Sequence, residues 1–230
     1  MCELNKLYNI DCMAAMAQIP DKYFDLAIVD PPYGVNVFAQ SHYCDSKQYG
    51  NAKAAPTNYK RKEWDNTPPS AEYFSELFRV SQNQVIWGAN HFISRIPYDS
   101  PCWIVWDKDN GTNDFADCEL AWTSFKSAVR RYKYRWNGML QENMKEKEIR
   151  IHPTQKPVAL YSWLLDKYAK QGDLILDTHV GSASSLIACY RGGYSFVGFE
   201  IDPEYYKAAN ERLTLEMAQL RLFDARGNLL

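Results

Sequence analysis

"DLILDTHVGSASSLIACYRGGYSFVGFEID" (residues 173–202) carries, in order, a short apolar run, a turn of small residues, a helix-like segment, a second apolar run and a terminal acid. The runs at 173–177 and 194–200 read as buried strands, and 182–192 reads as the helix joining them in parallel. Gly181-Ser182-Ala183-Ser184 lets a ligand approach the backbone, the helix N-terminus favours an anionic group, and Glu200 can accept from both hydroxyls of a ribose. A tight βα turn followed by a helix-capping acid is the plain alternative. It leaves the order of all five features unexplained.

The same alternation extends outward over the chain. Residues 25–30, 83–88 and 101–107 read as strands, and 70–80, 157–170 and 202–222 as helices, the last opened by Asp202 as N-cap with Pro203 at its first position. This pattern predicts an α/β fold, a mostly parallel twisted sheet with helices on both faces. Two stretches break the rhythm. Residues 34–69 are polar and too long for an ordinary connection. Residues 108–150 hold a turn region, two strand-like runs (119–125 and 130–138) and a charged tract, and are expected to form a small recognition insert.

With 230 residues, 46% of them hydrophobic, the chain suits a single domain. No apolar run reaches the roughly 18 residues of a membrane span, and "MCELNKLYNID" lacks the features of a signal peptide, so a cytoplasmic protein without membrane contact is expected. The six cysteines form no C-x-x-C pair, which predicts neither a zinc site nor a disulfide framework, and no metal is expected. A net charge of -2 argues against coating nucleic acid through bulk charge, though local patches remain available.

The turn at 181–184 is not followed by Gly-Lys-Ser/Thr, so it lacks the lysine that grips β- and γ-phosphates. A nucleoside carrying a small zwitterion, such as S-adenosylmethionine, suits it better. At 25–34, "DLAIVDPPYG" ends a strand in Asp30-Pro31-Pro32-Tyr33. The prolines fix φ and leave carbonyls that only accept, Asp30 adds an acceptor, and Tyr33 offers a flat face to a base. Such a group fits an exocyclic amine held by both hydrogens, its lone pair drawn out of ring conjugation for attack on a methyl sulfonium. Alone, the tetrapeptide reads equally well as a Pro-Pro turn; the unit at 177–200 favours the chemical reading.

Together these motifs resemble the amino-methylating DNA methyltransferases, specifically the permuted beta class of phage and restriction-modification systems, in which the catalytic motif precedes the cofactor motif. "YNIDCMAAMAQIPDKYFDLAIVDPPYG" (8–34) is similar to that class's opening, "IHPTQKPVALYSWLL" (151–165) to its lysine-containing motif, and "VIWGANHF" (85–92) and "WIVWDKDNGTNDFADCELAWTSF" (103–125) to further segments of it. The resemblance implies S-adenosylmethionine as cofactor and Asp30, Pro31, Pro32 and Tyr33 as the catalytic group. It implies that Asp11 and Cys12 border the adenine, that His152, Thr154 and Lys156 line the methionine end, and that Asp30, Asp177, His179, Gly181, Ser182, Glu200 and Ile201 complete the cofactor site. The family's loop usually reads Asp-Pro-Phe-x-Gly-Ser-Gly-Thr; here His179 stands for the Phe and Ala183 for the second Gly. Ala keeps a close approach open, and His179 is expected to pack near the cofactor or face solvent rather than act as a base.

A base in a duplex must be flipped out to reach such a site. For the DNA backbone, Arg131, Lys133 and Arg135 fall on one face of a strand-like run, and Lys60-Arg61-Lys62 form a second patch. Residues 34–69 are expected to order over the flipped base. The expected activity is therefore methylation of adenine N6 in double-stranded DNA, with a homodimer suggested by family analogy. Family members acting on cytosine N4 more often carry Ser in place of Asp30. Methylation of a glutamine amide in protein and a catalytically inactive nucleic-acid-binding subunit are further alternatives.

Overall fold

The structure, a computed structural model, describes residues 2–36, 59–60, 62, 64–111, 116–137 and 140–219. Eight strands form one sheet in the lateral order β1 (Lys6–Asn9), β10 (Ser195–Glu200), β9 (Leu174–Asp177), β2 (Phe24–Val29), β3 (Ser81–Trp87), β5 (Cys118–Thr123), β4 (Trp103–Asp107) and β6 (Arg130–Lys133). All neighbours pair in parallel except β5, which runs antiparallel to both β3 and β4. A two-stranded sheet, β7 (Trp136–Asn137) with β8 (Leu140–Gln141), lies apart. The helices are α1 (Cys12–Met16), α2 (Ala71–Val80), α3 (Val158–Tyr168), α4 (Ser184–Gly192) and α5 (Pro203–Ala218).

The apolar runs are continuous because both faces of the sheet are buried, as a parallel sheet requires. Side chains alternate across a strand, so Leu26 and Ile28 of β2 join one core with Leu160, Leu164, Leu186 and Ile187 of α3 and α4. Ala27 and Val29 point the other way and join Met16, Phe74, Leu77 and Val80 of α1 and α2. This is the expected α/β architecture, a mostly parallel sheet with helices covering both faces.

The chain leaves β9 through α4 toward β10, and leaves β2 through α2 toward β3, so the two crossovers depart in opposite directions from adjacent strands. β2 and β9 are paired in parallel through Leu26↔Ile175 and Ala27↔Leu176. Their carboxyl ends therefore open the crevice in which ligands bind to sheets of this kind. Asp30 stands at the end of one strand and Asp177 at the end of the other.

Part of the expected insert belongs to this sheet. The run at 119–125 becomes β5, whose Ala121, Trp122 and Thr123 are buried between β3 and β4, and 130–133 becomes the edge strand β6. The apolar side chains of β5 gain more from the core than from a separate module, which leaves 134–150 as the portion outside the main sheet. The expected helix at 202–222 is found over Pro203–Ala218, and 220–222 lie outside the described residues.

Candidate active site

β2 stops where the prolines begin. Past them, the buried carboxylate of Asp65 accepts from the N–H groups of Tyr33 (2.9 Å) and Gly34 (3.1 Å), which pins the turn. One Asp30 oxygen, Oδ2, accepts from Lys156 Nζ at 2.6 Å, and the other, Oδ1, from the Tyr33 hydroxyl at 2.8 Å. Lys156 Nζ also lies 3.0 Å from the Tyr33 oxygen and 3.0 Å from Glu119 Oε2, an oxygen 3.2 Å from the Tyr33 hydroxyl and so a second acceptor within reach of its one proton. The remaining oxygen of Glu119 pairs with Lys108.

Burial raises the Asp30 carboxyl above its ordinary range, with Lys156 pulling the other way. Burial would raise Glu119 as well, but Lys156 and Lys108 outweigh it and hold this carboxyl low. The Lys156 side chain is only 3% exposed, and its ammonium persists because Asp30 and Glu119 overcome the cost of its burial. Lys156, expected at the methionine end, thus reaches the Asp30 carboxylate too. The Tyr33 ring stacks on His91 at 5.0 Å and 16°. Beneath it is Gly88, at φ +68°, where a Cβ would come within 2.0 Å of the ring. Only glycine lets Tyr33 lie this close to the end of β3.

The expected cofactor residues, apart from Asp177, all line one cavity of about 360 Å³, which Asp30 and Pro32 share and Tyr33 and Pro31 do not. Glu200 is held in it by two backbone donors, Gly181 N–H to Oε2 (2.8 Å) and Asp202 N–H to Oε1 (2.9 Å), and burial raises its carboxyl. Each oxygen keeps a lone pair for a ligand hydroxyl. Asp11 caps α1 by accepting from Ala14 N–H at 3.0 Å, and Cys12 behind it is pushed up to about 12 by burial and by Asp11, so it stays a thiol. Burial, and then Lys156, lower His152 to about 3; its ring packs on Tyr205 at 4.3 Å and Trp64 at 5.2 Å, and Thr154 Oγ1 lies 3.1 Å from its Nδ1. His179, lowered by burial to about 4, sets its edge against Tyr73. Both imidazoles are neutral walls near pH 7.

Asp177 is a correction to the expected lining. It lies beneath the loop, accepting from His179 N–H at 3.0 Å through Oδ1 and from the Ser185 hydroxyl through Oδ2. It shapes the turn that Gly181 (φ +55°) and Ala183 (φ +63°) complete, both in the left-handed region that favours Gly. Among the described residues the lining carries acids at Asp11, Asp30 and Glu200 and one cationic side chain, Lys156, which is committed to carboxylates. Such a donor set fits a nucleoside bearing positive charge and does not fit a polyphosphate.

The expected nucleic-acid contacts divide. Arg131 (71% exposed), Lys133 and Arg135 do line the β6 edge, but they face Asp107 at 3.9 Å and Asp109 at 2.8 and 2.6 Å. Tyr132 turns inward and stacks on Trp163. Lys62, 15% exposed, ion-pairs with Asp202, the N-cap of α5, and with Glu204 in its first turn, while the exposed Lys60 pairs with Glu204. Arg61 and residues 37–58 lie outside the described residues. Sequence reasoning missed Glu119, Lys108, Gly88, His91 and Asp65. No local pattern marks Glu119, which opens the strand-like run at 119–125. Among the described residues no group of three or more His, Cys, Asp or Glu is placed to hold a metal, and no helix is long and apolar enough to cross a membrane.

The model of a family described as DNA methylase matches residues 121–211. That span runs from β5 into α5 and holds the loop, Lys156 and Glu200. The chain is 38% identical over 153 residues to the Type II methyltransferase M2.DpnII of Streptococcus pneumoniae, a match spanning 66% of this chain and 50% of that one. It is 39% identical over 75 residues to the Type II methyltransferase M.HpaI of Haemophilus parainfluenzae, spanning 33% of this chain and 24% of that one. The chain thus spans half or less of the length of these relatives. Among solved structures, the M1.HpyAVI–SAM complex superposes with a TM-score of 0.55 at 21% identity, covering 90% of this chain and 98% of the other. The cytosine-N4-specific PvuII DNA methyltransferase gives a TM-score of 0.56 at 13% identity, covering 92% and 90%. At such identities these superpositions establish a shared fold.

Proposed function

We propose that this chain is an S-adenosylmethionine-dependent DNA methyltransferase of the permuted beta class, acting on the exocyclic N6 of adenine. The observation that carries the reading is the wall shared between the two halves of the site. Asp30, at the end of β2, opens onto the same cavity as Glu200 and the 179–182 loop, so a methyl donor and a methyl acceptor can meet there.

The bound cofactor would supply a methyl group on a sulfonium. Glu200 would hold the ribose hydroxyls, Asp11 and Cys12 would border the adenine, and His152, Thr154 and His179 would give the remainder a neutral, water-excluding wall. Asp30 and the Pro31 carbonyl would accept both hydrogens of the target amine and direct its lone pair at the methyl carbon. Asp30 would then take the surplus proton of the methylated nitrogen and pass it on to water. A carboxyl raised by burial suits that transient role.

DNA is the partner this reading requires. Arg131, Lys133 and Arg135 would exchange Asp107 and Asp109 for phosphates, with recognition assigned to the insert at 108–150 and the segment at 34–69 ordering over the base. A homodimer would enlarge so small a footprint, and the working compartment would be a bacterial or phage-infected cytoplasm. Asp30 favours adenine over cytosine, on the resemblance that puts Ser there in N4-type members. The test is transfer of tritiated methyl to unmethylated DNA by wild type and Asp30→Ala, with nucleoside analysis. Label in N6-methyladenine, reduced at least ~1000-fold in the variant, is expected. Label in N4-methylcytosine would move the activity to the other base, and cofactor binding without any transfer would leave an accessory subunit.

A further inference from the structure

We propose that Glu119 is a positioning residue that draws the Lys156 ammonium and the Tyr33 hydroxyl off Asp30 when the target amine enters, a role that rests on the methyltransferase reading. Both Asp30 oxygens are occupied, by Lys156 at 2.6 Å and by Tyr33 at 2.8 Å. Each still has a lone pair, as on Glu200, but an oxygen already held by an ammonium or a phenol accepts weakly, so the incoming amine competes with a present donor for Asp30. Lys156 is 3% exposed, and a buried ammonium that loses its partner is costly. Glu119 Oε2 already lies 3.0 Å from Lys156 and 3.2 Å from the Tyr33 oxygen, so a single acceptor is within reach of both displaced donors.

Lys108 holds the other oxygen of Glu119 and keeps the carboxylate at its post. Two carboxylates face two ammoniums, and the exchange moves hydrogen bonds without moving net charge into the core. Glu119 reaches this position because β5 runs back antiparallel along β3, placing Glu119 beyond the register pair Trp87↔Ala121, near the turn that carries Tyr33.

The experiment measures single-turnover methyl transfer at saturating cofactor, cofactor affinity and thermal stability for wild type, Glu119→Gln, Lys156→Met and the double variant. Glu119→Gln strands Lys156 on Asp30, so the chemical step is expected to fall about 100-fold while cofactor affinity stays within about threefold of wild type. Adding Lys156→Met to Glu119→Gln frees Asp30 and is expected to recover at least ~10-fold, a compensation that a purely structural ion pair does not give. If Glu119→Gln does not fold, Glu119→Asp, which keeps the charge and withdraws it by one methylene, takes its place in the same comparison. An unchanged single-turnover rate in the Glu119 variant, or a double variant no faster than it, overturns the proposal. Wild type that transfers no methyl group overturns the function and this role together, whereas an active wild type with indifferent variants overturns only the role.

Discussion

Replacing Asp177 by Asn should make the ligand-free protein more stable, and increasingly so as pH rises. Asp177 is 2% exposed, and burial, only partly offset by the Ser185 and His179 hydrogen bonds, lifts its carboxyl from an ordinary 3.8 to about 7. A raised folded-state value means that the folded chain holds this proton more tightly than the unfolded one. The stability this contributes is complete below the unfolded value and is lost as pH rises through about 7. Three units at about 1.4 kcal/mol each put the full ionisation cost near ~4 kcal/mol, of which roughly 2–3 kcal/mol falls between about pH 5 and pH 8.5. Asparagine is nearly isosteric. Its carbonyl can accept from His179 N–H and its amide can donate to Ser185 Oγ, so the loop geometry survives. The melting temperature of Asp177→Asn should therefore exceed that of wild type by a margin that widens by roughly 5–10 °C across that range. Cofactor affinity should move the other way, weakening on the order of tenfold, ~1.4 kcal/mol, because a positively charged ligand loses a nearby anion. A melting difference that stays flat with pH would refute the assignment of a costly buried charge to Asp177.

Glu200→Gln cannot accept from both Gly181 and Asp202 and loses acceptor capacity toward a ribose; calorimetry should show S-adenosylmethionine binding about 100-fold weaker, ~2.7 kcal/mol, with transfer at saturating cofactor nearly intact. Gly88→Ala drives a Cβ into the Tyr33 ring at a left-handed φ, so methyl transfer should fall at least ~100-fold while cofactor affinity is retained; normal transfer would show that the position of Tyr33 is not critical. Alanine at Arg131, Lys133 or Arg135 should each reduce the salt dependence of DNA binding by about one unit of slope, whereas Lys62→Ala should leave that slope unchanged.

The strands were legible in the sequence because they are buried on both faces: a run such as Leu26 to Val29 reads as apolar only when neither side meets water. Asp30 and Glu200 were legible because each ends such a run with a charge. Lys62 was misread because a cationic triplet gives no hint of Asp202, 140 residues away, as its partner. Glu119 was passed over for the same reason. Its meaning depends on β5 reversing between β3 and β4, a non-local choice made by the core rather than by any local pattern. The loop departs at Ala183 from the pattern it resembles, yet the backbone there still adopts the left-handed conformation that the pattern's Gly would favour.

On the proposed function, the separation between methyl donor and acceptor follows from the pairing of β2 with β9. Asp30 and the 177–182 loop leave adjacent strands joined by backbone pairs at Leu26↔Ile175 and Ala27↔Leu176, deep in both cores. Sheet pairing is stiff compared with loops, so the alignment of the reacting atoms is set by the β2·β9 seam, with Lys156 bracing it from the start of α3. The segment around Asp65 and Trp64 touches the site from outside this seam. Changes in 59–69 should consequently alter how tightly DNA or cofactor is held, seen in KM, while changes that disturb the seam should alter the rate of the chemical step itself.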